Sequence, residues 1–386
     1  MLAPAASSTL ADVSLKAERR PLAALADIVE PWRALCERAA EPNVFYDPAF
    51  ALAAAPVFGR DVEAILVWDA ADRLIGFFPF SVAARRYGIR LPLILGWTHH
   101  FAPLGTPLVD RDFRDEAITA FFAHITRDKA LPKLLLLPLL NERGPVAAAL
   151  PAASIRCAAF DRHQRALLAP TGDRASYLEN AISAKRRKEL RRQRHRLADG
   201  GSVVFSVARD PNEIAAALDD FLALEAGGWK GRAGTAITQD PDIRRFVETA
   251  VTALANRGSA QIAQLMRGTQ PIASAITLSS GRGAWGWKIA YDESFAAASP
   301  GVQLYFDLTT TLLADPAISF VDSCATPDHP MIDHLWRERL SLGDWLIGLT
   351  PDAPFDRACR LETMRRRAIA LMRNARDAVS RSLRRQ

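Results

Sequence analysis

Ser299-Pro300-Gly301-Val302 is built to open a helix, and the loop before it, Phe295 to Ala298, is nearly all alanine. Serine at an N-cap with proline at the first helical position is a strong start signal. Such a start turns backbone N–H groups and the positive end of the helix dipole outward, a seat for a pyrophosphate. Further on, Asp322-Ser323-Cys324-Ala325-Thr326-Pro327-Asp328-His329 gathers polar groups after a short apolar run. There Asp322 or His329 can take a proton from an amine or hydroxyl, while Asp328 reads as the N-cap of a following helix. Cys324 reads as a packing thiol rather than a nucleophile. Glu225, Trp229 and Lys230 follow a long helix that stops at Gly227-Gly228, and they are candidates to line a groove.

The elements that must position these groups are legible around them. Gln261 to Arg267, Pro271 to Ser280 and Gly283 to Tyr291 are alternating apolar runs joined by two short turns, the pattern of an antiparallel meander. Strict alternation on the third run puts Trp285, Trp287, Ile289 and Tyr291 on one face and Lys288 on the other. Lys288 is then an unexpected cation in an apolar strand, and Asp322 is a candidate partner. The helix from Ser299 and a strand from Ile318 to Asp322 complete the order. Upstream, Pro211 to Glu225 and Asp240 to Asn256 read as helices, and Ser202 to Val207 as a strand.

The first half repeats that order: two helices (Trp32 to Arg38, Pro48 to Ala55), a hairpin (Val62 to Trp68, Leu74 to Val82), a strand (Leu91 to Trp97), a helix (Asp112 to Thr126) and a strand (Lys133 to Leu137). A further strand is expected from residue 155 to Phe160. This predicts a degenerate tandem duplication with boundaries at 1–20 (disordered), 21–165, 166–350 and 351–386 (a basic helix). The first copy lacks the Ser-Pro-Gly start. It carries His99, His100 and Phe101 in the equivalent loop and is expected to shape a neighbouring site rather than hold a ligand of its own.

The 386 residues are 49% apolar and 24% charged, the profile of a globular chain of about two domains. Its four cysteines are scattered, which excludes a disulfide scaffold and predicts a reduced, cytoplasmic protein without a metal site. The N-terminus has no signal-type apolar region, and Leu91 to Trp97 and Leu134 to Leu140 are too short to span a bilayer. The net charge of +6 is uneven. Lys185 to Arg196 holds eight Lys/Arg against one Glu, and Asp356 to Gln386 holds ten Arg against three acids, so the remainder is acidic. The first basic helix is expected to set domain geometry or hold an anion, with nucleic acid the less favoured partner. The second carries Leu361, Met364, Ala368, Met372, Ala375, Val379 and Leu383 as a stripe. It is expected to dock on the body, with a second subunit or peripheral contact with an anionic membrane as alternatives.

The order of strand, strand, strand, phosphate-competent helix start and strand resembles the core of GNAT acyltransferases. More closely, PIASAITL, AYDESFAAASPG and the Asp322 to Trp336 segment resemble the CelD-like acetyltransferases of cellulose biosynthesis, relatives of the Fem-type aminoacyl transferases. The resemblance covers about Pro170 to Gly348. It implies an α/β (α+β) fold of two tandem GNAT-like units with mixed, mostly antiparallel sheets. It also implies an acyl-CoA-dependent N- or O-acyltransferase using acetyl-CoA or another acyl-CoA, with a small-molecule or saccharide acceptor in cell-envelope or exopolysaccharide metabolism. Ile289, Ala290, Tyr291, Ser299, Pro300, Gly301 and Val302 would bind coenzyme A. Asp322 and His329 would be catalytic, with Asp322 orienting the acceptor or Lys288, and Glu225, Trp229, Lys230 and Lys288 would meet the acceptor. The family's Lys before Trp336 is absent here. The competing expectations are a Fem-type transfer from charged tRNA and a non-catalytic partner in polysaccharide synthesis.

Overall fold

The computed structural model describes residues 15–154 and 156–383. The first half runs β1 (Lys16–Pro21), α1 (Val29–Arg38), α2 (Pro48–Phe58), β2 (Glu63–Trp68), β3 (Leu74–Arg86), β4 (Ile89–Gly96), β5 (Leu108–Val109), α3 (Arg114–Arg127), β6 (Leu134–Asn141), α4 (Pro145–Ala153) and β7 (Arg156–Leu168). The connection holds α5 (Tyr177–Ala181) and α6 (Ala184–Ala198). The second half runs β8 (Val203–Ala208), α7 (Pro211–Gly227), α8 (Trp229–Arg232), α9 (Pro241–Ala255), β9 (Ala260–Arg267), β10 (Gln270–Ser280), β11 (Gly283–Tyr291), α10 (Pro300–Ala314), β12 (Phe320–Asp322), β13 (Glu338–Gly348) and α11 (Phe355–Leu383).

The two halves share an element order, and equivalent helices share a start. Asp47 before Pro48 caps α2, and Asp240 before Pro241 caps α9, each carboxylate accepting from the backbone two residues on. These two helices pack on each other, and Arg257 beyond α9 donates to Asp47 at 2.8 Å. The fold is therefore mixed α/β with two GNAT-like units. Its strands, however, form one sheet rather than two: the order is β1-β2-β3-β4-β6-β13-β7-β12-β11-β10-β9-β8, with β5 beside β3. Among the described strands only β4/β6 and β11/β12 pair in parallel. Each unit's last strand lies on the other unit. β7 pairs with β12 of the second unit, and β13 pairs with β6 of the first. The expected boundary at 165/166 thus falls inside one strand.

Three further expectations change. The expected disordered tail of residues 1–20 is structured from Lys16, where β1 pairs with β2; residues 1–14 lie outside the described residues. The helix expected after Asp328 is a single turn, Ile332–His334, because Pro327 and Pro330 interrupt the segment. On α11, docking uses Phe355, Ala358 and the buried Glu362, which accepts from Arg86 and Tyr87, while Met364 and Met372 of the expected stripe stand exposed. Side chains of the stripe beyond Met372 lie outside the described residues.

Where the units meet, Arg165 on β7 is fully buried. It donates to Asp322 on β12 and, at 2.8 Å, to the Pro103 carbonyl of the first unit's loop. Removing one partner strands a charge in the interior, whereas removing both does not. Asp322→Asn should therefore cost about 3–5 kcal/mol, and Arg165→Met with Asp322→Leu should recover most of it. Urea denaturation checks this; single changes costing under ~1 kcal/mol would remove the pair from the junction's energetics.

Candidate active site

β11 and β12 stay paired over only three positions, Gly283/Phe320 to Trp285/Asp322, and then part. From Gly286 onward β11 has no neighbour on that side, and a cavity of about 550 Å3 occupies the gap. Asp292 donates to the Ile272 carbonyl of β10 at 2.9 Å, so by alternation Ala290 also faces β10. Ile289 and Tyr291 then turn their N–H and C=O groups toward the gap. Of the three strand residues expected to bind the donor, Ala290 thus turns its backbone to β10, and Ile289 and Tyr291 offer theirs to the gap.

The alternation expected along β11 fails at one residue. The register slips opposite Ile276 and Thr277, leaving Trp287 as a β-bulge. Before the bulge, Trp285 packs in the core shared by both units. Trp287 stays on that face and donates to the Phe101 carbonyl of the first unit at 2.8 Å. Lys288 follows it there, its Nζ 4.0 Å from the centre of the Phe101 ring. Ile289 and Tyr291 emerge on the opposite face, against Gly301 of α10. One inserted residue thus sends Lys288 to one side of the sheet and the α10-facing residues to the other.

Ser299 is the N-cap of α10 with Pro300 after it, as the sequence implies, but at φ 52° and with no side-chain cap bond. Its hydroxyl is free to face the cavity. The first turn offers fewer donors than expected. Pro300 has none, the Ser299 N–H reaches Ala296 O, and those of Val302 and Gln303 both reach Ser299 O. The Gly301 amide is left without a backbone partner in that turn. A Cβ at Gly301 would lie 3.3–3.5 Å from Ile289, Met331 and Tyr291, so the approach is close. α6 fixes this corner: the Gln303 amide donates to Leu190 O at 2.7 Å, and Arg194 pairs with Asp307 at 2.5 Å.

Of the residues singled out by sequence, Trp229, Lys230, Lys288, Ile289, Tyr291, Ser299, Pro300, Gly301, Val302 and His329 line the main cavity. Three do not. Asp322 is wholly buried and paired with Arg165, not Lys288; its other oxygen accepts from the Cys324 amide at 3.0 Å. Its part is to hold the turn that follows β12. Glu225 is also buried, accepting from Lys230 Nζ at 2.5 Å and Ile237 N at 2.9 Å. It and Ala290 border a small side cavity instead. Cys324 lines the main cavity at φ 51°, but burial, then the charge of Asp322, push its thiol well up, which keeps it protonated. His329 is half-buried across from α10, near Met331.

Sequence reasoning missed Tyr305. It lies one turn beyond Gly301 on α10, and its ring packs beside Trp336, whose indole donates to Thr309. A Cβ at Gly286 would sit 2.8 Å from the Tyr305 hydroxyl oxygen, so glycine lets that hydroxyl reach the backbone next to the bulge. The first unit's loop backs the site through Phe101, which lies under Lys288 and accepts from the Trp287 indole. His99 stacks on Phe58 at 4.1 Å within a ring cluster that includes Phe101 and Phe246.

Residues 184–328 match the family model of the acetyltransferase (GNAT) domain. Solved structures share the fold along most of the chain at low identity. FemX has a TM-score of 0.55 at 11% identity, covering 82% of this chain and 95% of that one. L-PGS from Bacillus licheniformis has 0.52 at 13%, covering 88% and 96%. The C-terminal domain of a protein from Agrobacterium fabrum, assigned as a lysylphosphatidylglycerol synthetase, has 0.53 at 12%, covering 84% and 92%. Among curated proteins, DNA repair protein RecO of Chromobacterium violaceum is 42% identical over 72 residues, so the chain spans about a quarter of that relative's length. No described helix is long and apolar enough to cross a membrane.

Burial, then the charges of His100 and Lys288, hold the His99 imidazole down at about 3 against an ordinary 6.5. The unfolded chain therefore binds a proton here that the native state refuses. Stability should fall as pH drops from about 6.5 toward 3, and rise with pH across that window. His99→Leu should flatten this slope in melting temperatures taken across the range. An unchanged slope would show that His99 does not carry it.

Proposed function

We propose that the chain is an acyltransferase that moves an acyl group, acetyl in the simplest case, from coenzyme A to an amine or hydroxyl. The observation that carries this reading is the parting of β11 from β12 over a cavity that has the start of α10 on one face. An extended, amide-bearing arm such as pantetheine suits the free edge of β11 at Ile289 and Tyr291, in the manner of an added strand. The Gly301 amide and the Ser299 hydroxyl then face the pyrophosphate at the positive end of α10. The reacting carbonyl falls at the bulge. His329 accepts the proton of the attacking nitrogen or oxygen, whose new bond to the acyl carbon replaces the carbon–sulfur bond. Tyr305 is placed to give the departing thiolate its proton. The sequence resemblance to CelD-like enzymes favours a saccharide or envelope acceptor, and the scattered cysteines favour a cytoplasmic setting.

A second reading draws support from the fold shared with FemX and L-PGS: transfer of an aminoacyl group from charged tRNA. α6 packs beside the turn at residues 293–298 and leaves Lys185, Arg186, Lys188, Arg191 and Arg196 exposed there. A tRNA complex that weakens steeply with salt, without any effect of acetyl-CoA on the protein, would favour it.

Acetyl-CoA should raise the melting temperature, and Gly301→Glu should abolish its binding, because the carboxylate would repel the pyrophosphate and crowd Ile289 and Met331. Equal calorimetric affinity in the variant would remove the α10 seat. His329→Gln should lower kcat about 100-fold with donor affinity unchanged; full turnover would dismiss His329 as the base.

A further inference from the structure

We infer that the acceptor carries an anionic group, a carboxylate or a phosphate, and that Lys288 binds it. This rests on the acyltransferase reading and names the substrate class it serves.

The main cavity is lopsided in charge. Among the described residues its lining includes Lys230, Lys288 and His329 and no Asp or Glu. Lys230 is already matched by Glu225, so that pair is close to neutral. Lys288 has no ion-pair or hydrogen-bond partner among the described residues. Its ammonium rests on the face of Phe101 and lies 5.8 Å from the Trp287 ring. Those rings favour a cation but supply no counter-charge and no acceptor lone pair. A half-buried ammonium in that state is costly unless a ligand completes it.

The donor does not supply that anion. Its pyrophosphate seat is at Gly301, on the face of the sheet reached by Ile289 and Tyr291. The Trp287 bulge turns Lys288 to the opposite face, under the first unit's loop. Along the strand, Lys288 is three residues, roughly 10 Å, from Tyr291. The two charges of a donor–acceptor pair would thus be held on opposite sides of one gap, with the bulge between them.

Burial and the charge of Lys230 push the Lys288 ammonium down to about 8, which leaves it largely charged at neutral pH. A lysine in that range can also serve as a base, and Lys288→Arg separates the roles. Arginine keeps the charge and cannot act as a base near neutrality.

The test has two arms. In the first, wild type, Lys288→Met and Lys288→Arg are titrated by calorimetry with acetyl-CoA, which all three should bind alike. Failure of the wild type to bind it would sink the acyltransferase reading but not the anion site. With coenzyme A present to fill the α10 seat, each protein is then titrated with inorganic phosphate and with acetate. Saturable binding of at least one anion to wild type and Lys288→Arg, weakened tenfold or more in Lys288→Met, is the expected result. Absence of binding by both anions, or equal binding in Lys288→Met, would overturn the proposal. In the second arm, coenzyme A release is followed with glucosamine 6-phosphate against glucosamine, and with glycine against glycinamide. A tenfold preference for the phosphorylated amine points to a phosphate acceptor, and for the free acid to a carboxylate. Preference for the neutral members overturns the inference, and where no amine reacts the binding arm decides.

Discussion

The exchange of β7 and β13 is the constraint on which the site depends. Each unit ends in a strand that its own sheet does not take up, so neither sheet closes without the other. β12 has only three residues, too few to hold its place by ladder bonds alone. It is held between β11 and β7, and Arg165 of β7 anchors its last residue through Asp322. That single charged contact also reaches the Pro103 carbonyl, so the loop that carries Phe101 is tied to the strand that parts from β11. The pair is costly to bury, and its value is geometric: a fully desolvated bidirectional donor leaves β12 few alternative positions.

The second constraint is the extra residue at Trp287. Without it, strict alternation would put Lys288 on the face opposite Trp287, away from Phe101. With it, Trp287 and Lys288 both lie against the first unit, while Ile289 and Tyr291 lie against α10. The first unit therefore packs behind the strand that lines the cavity, through Phe101 and Phe50. Its loop gives Phe101 to Lys288 and the Phe101 carbonyl to Trp287, and its α2 gives Phe50 and Phe58 to the rings behind them. One core shared by both units lies behind Trp285 and Trp287.

Features written in neighbouring residues were legible in the sequence. The meander, the repeated element order and the Ser299-Pro300 start all rest on short-range chemistry, and all are present. Features that join distant residues were not. Nothing local marks Leu340 and its neighbours in β13 as a strand destined for the first unit, and nothing near Asp322 names Arg165, 157 residues earlier, as its partner. The bulge escaped because period-2 reading assumes an unbroken register; Gly286 beside Trp287 was the available signal, since glycine in a strand often marks a bulge or a close approach. Tyr305 was overlooked as ordinary helix packing, and its pairing with Gly286 is visible only in three dimensions. The expected helix after Asp328 failed for a local reason, two prolines within four residues, that the cap signal had outweighed.

The central claim is that donor and acceptor enter one gap from opposite faces of the sheet and meet at the Trp287 bulge. A crystal structure of the coenzyme A complex tests it most directly. The account predicts density for the pyrophosphate at the Gly301 amide, a pantetheine arm along Ile289 and Tyr291, and the sulfur beside Gly286 and Tyr305, with Lys288 untouched on the far face. Coenzyme A bound elsewhere, or with its phosphates on Lys288, would contradict it.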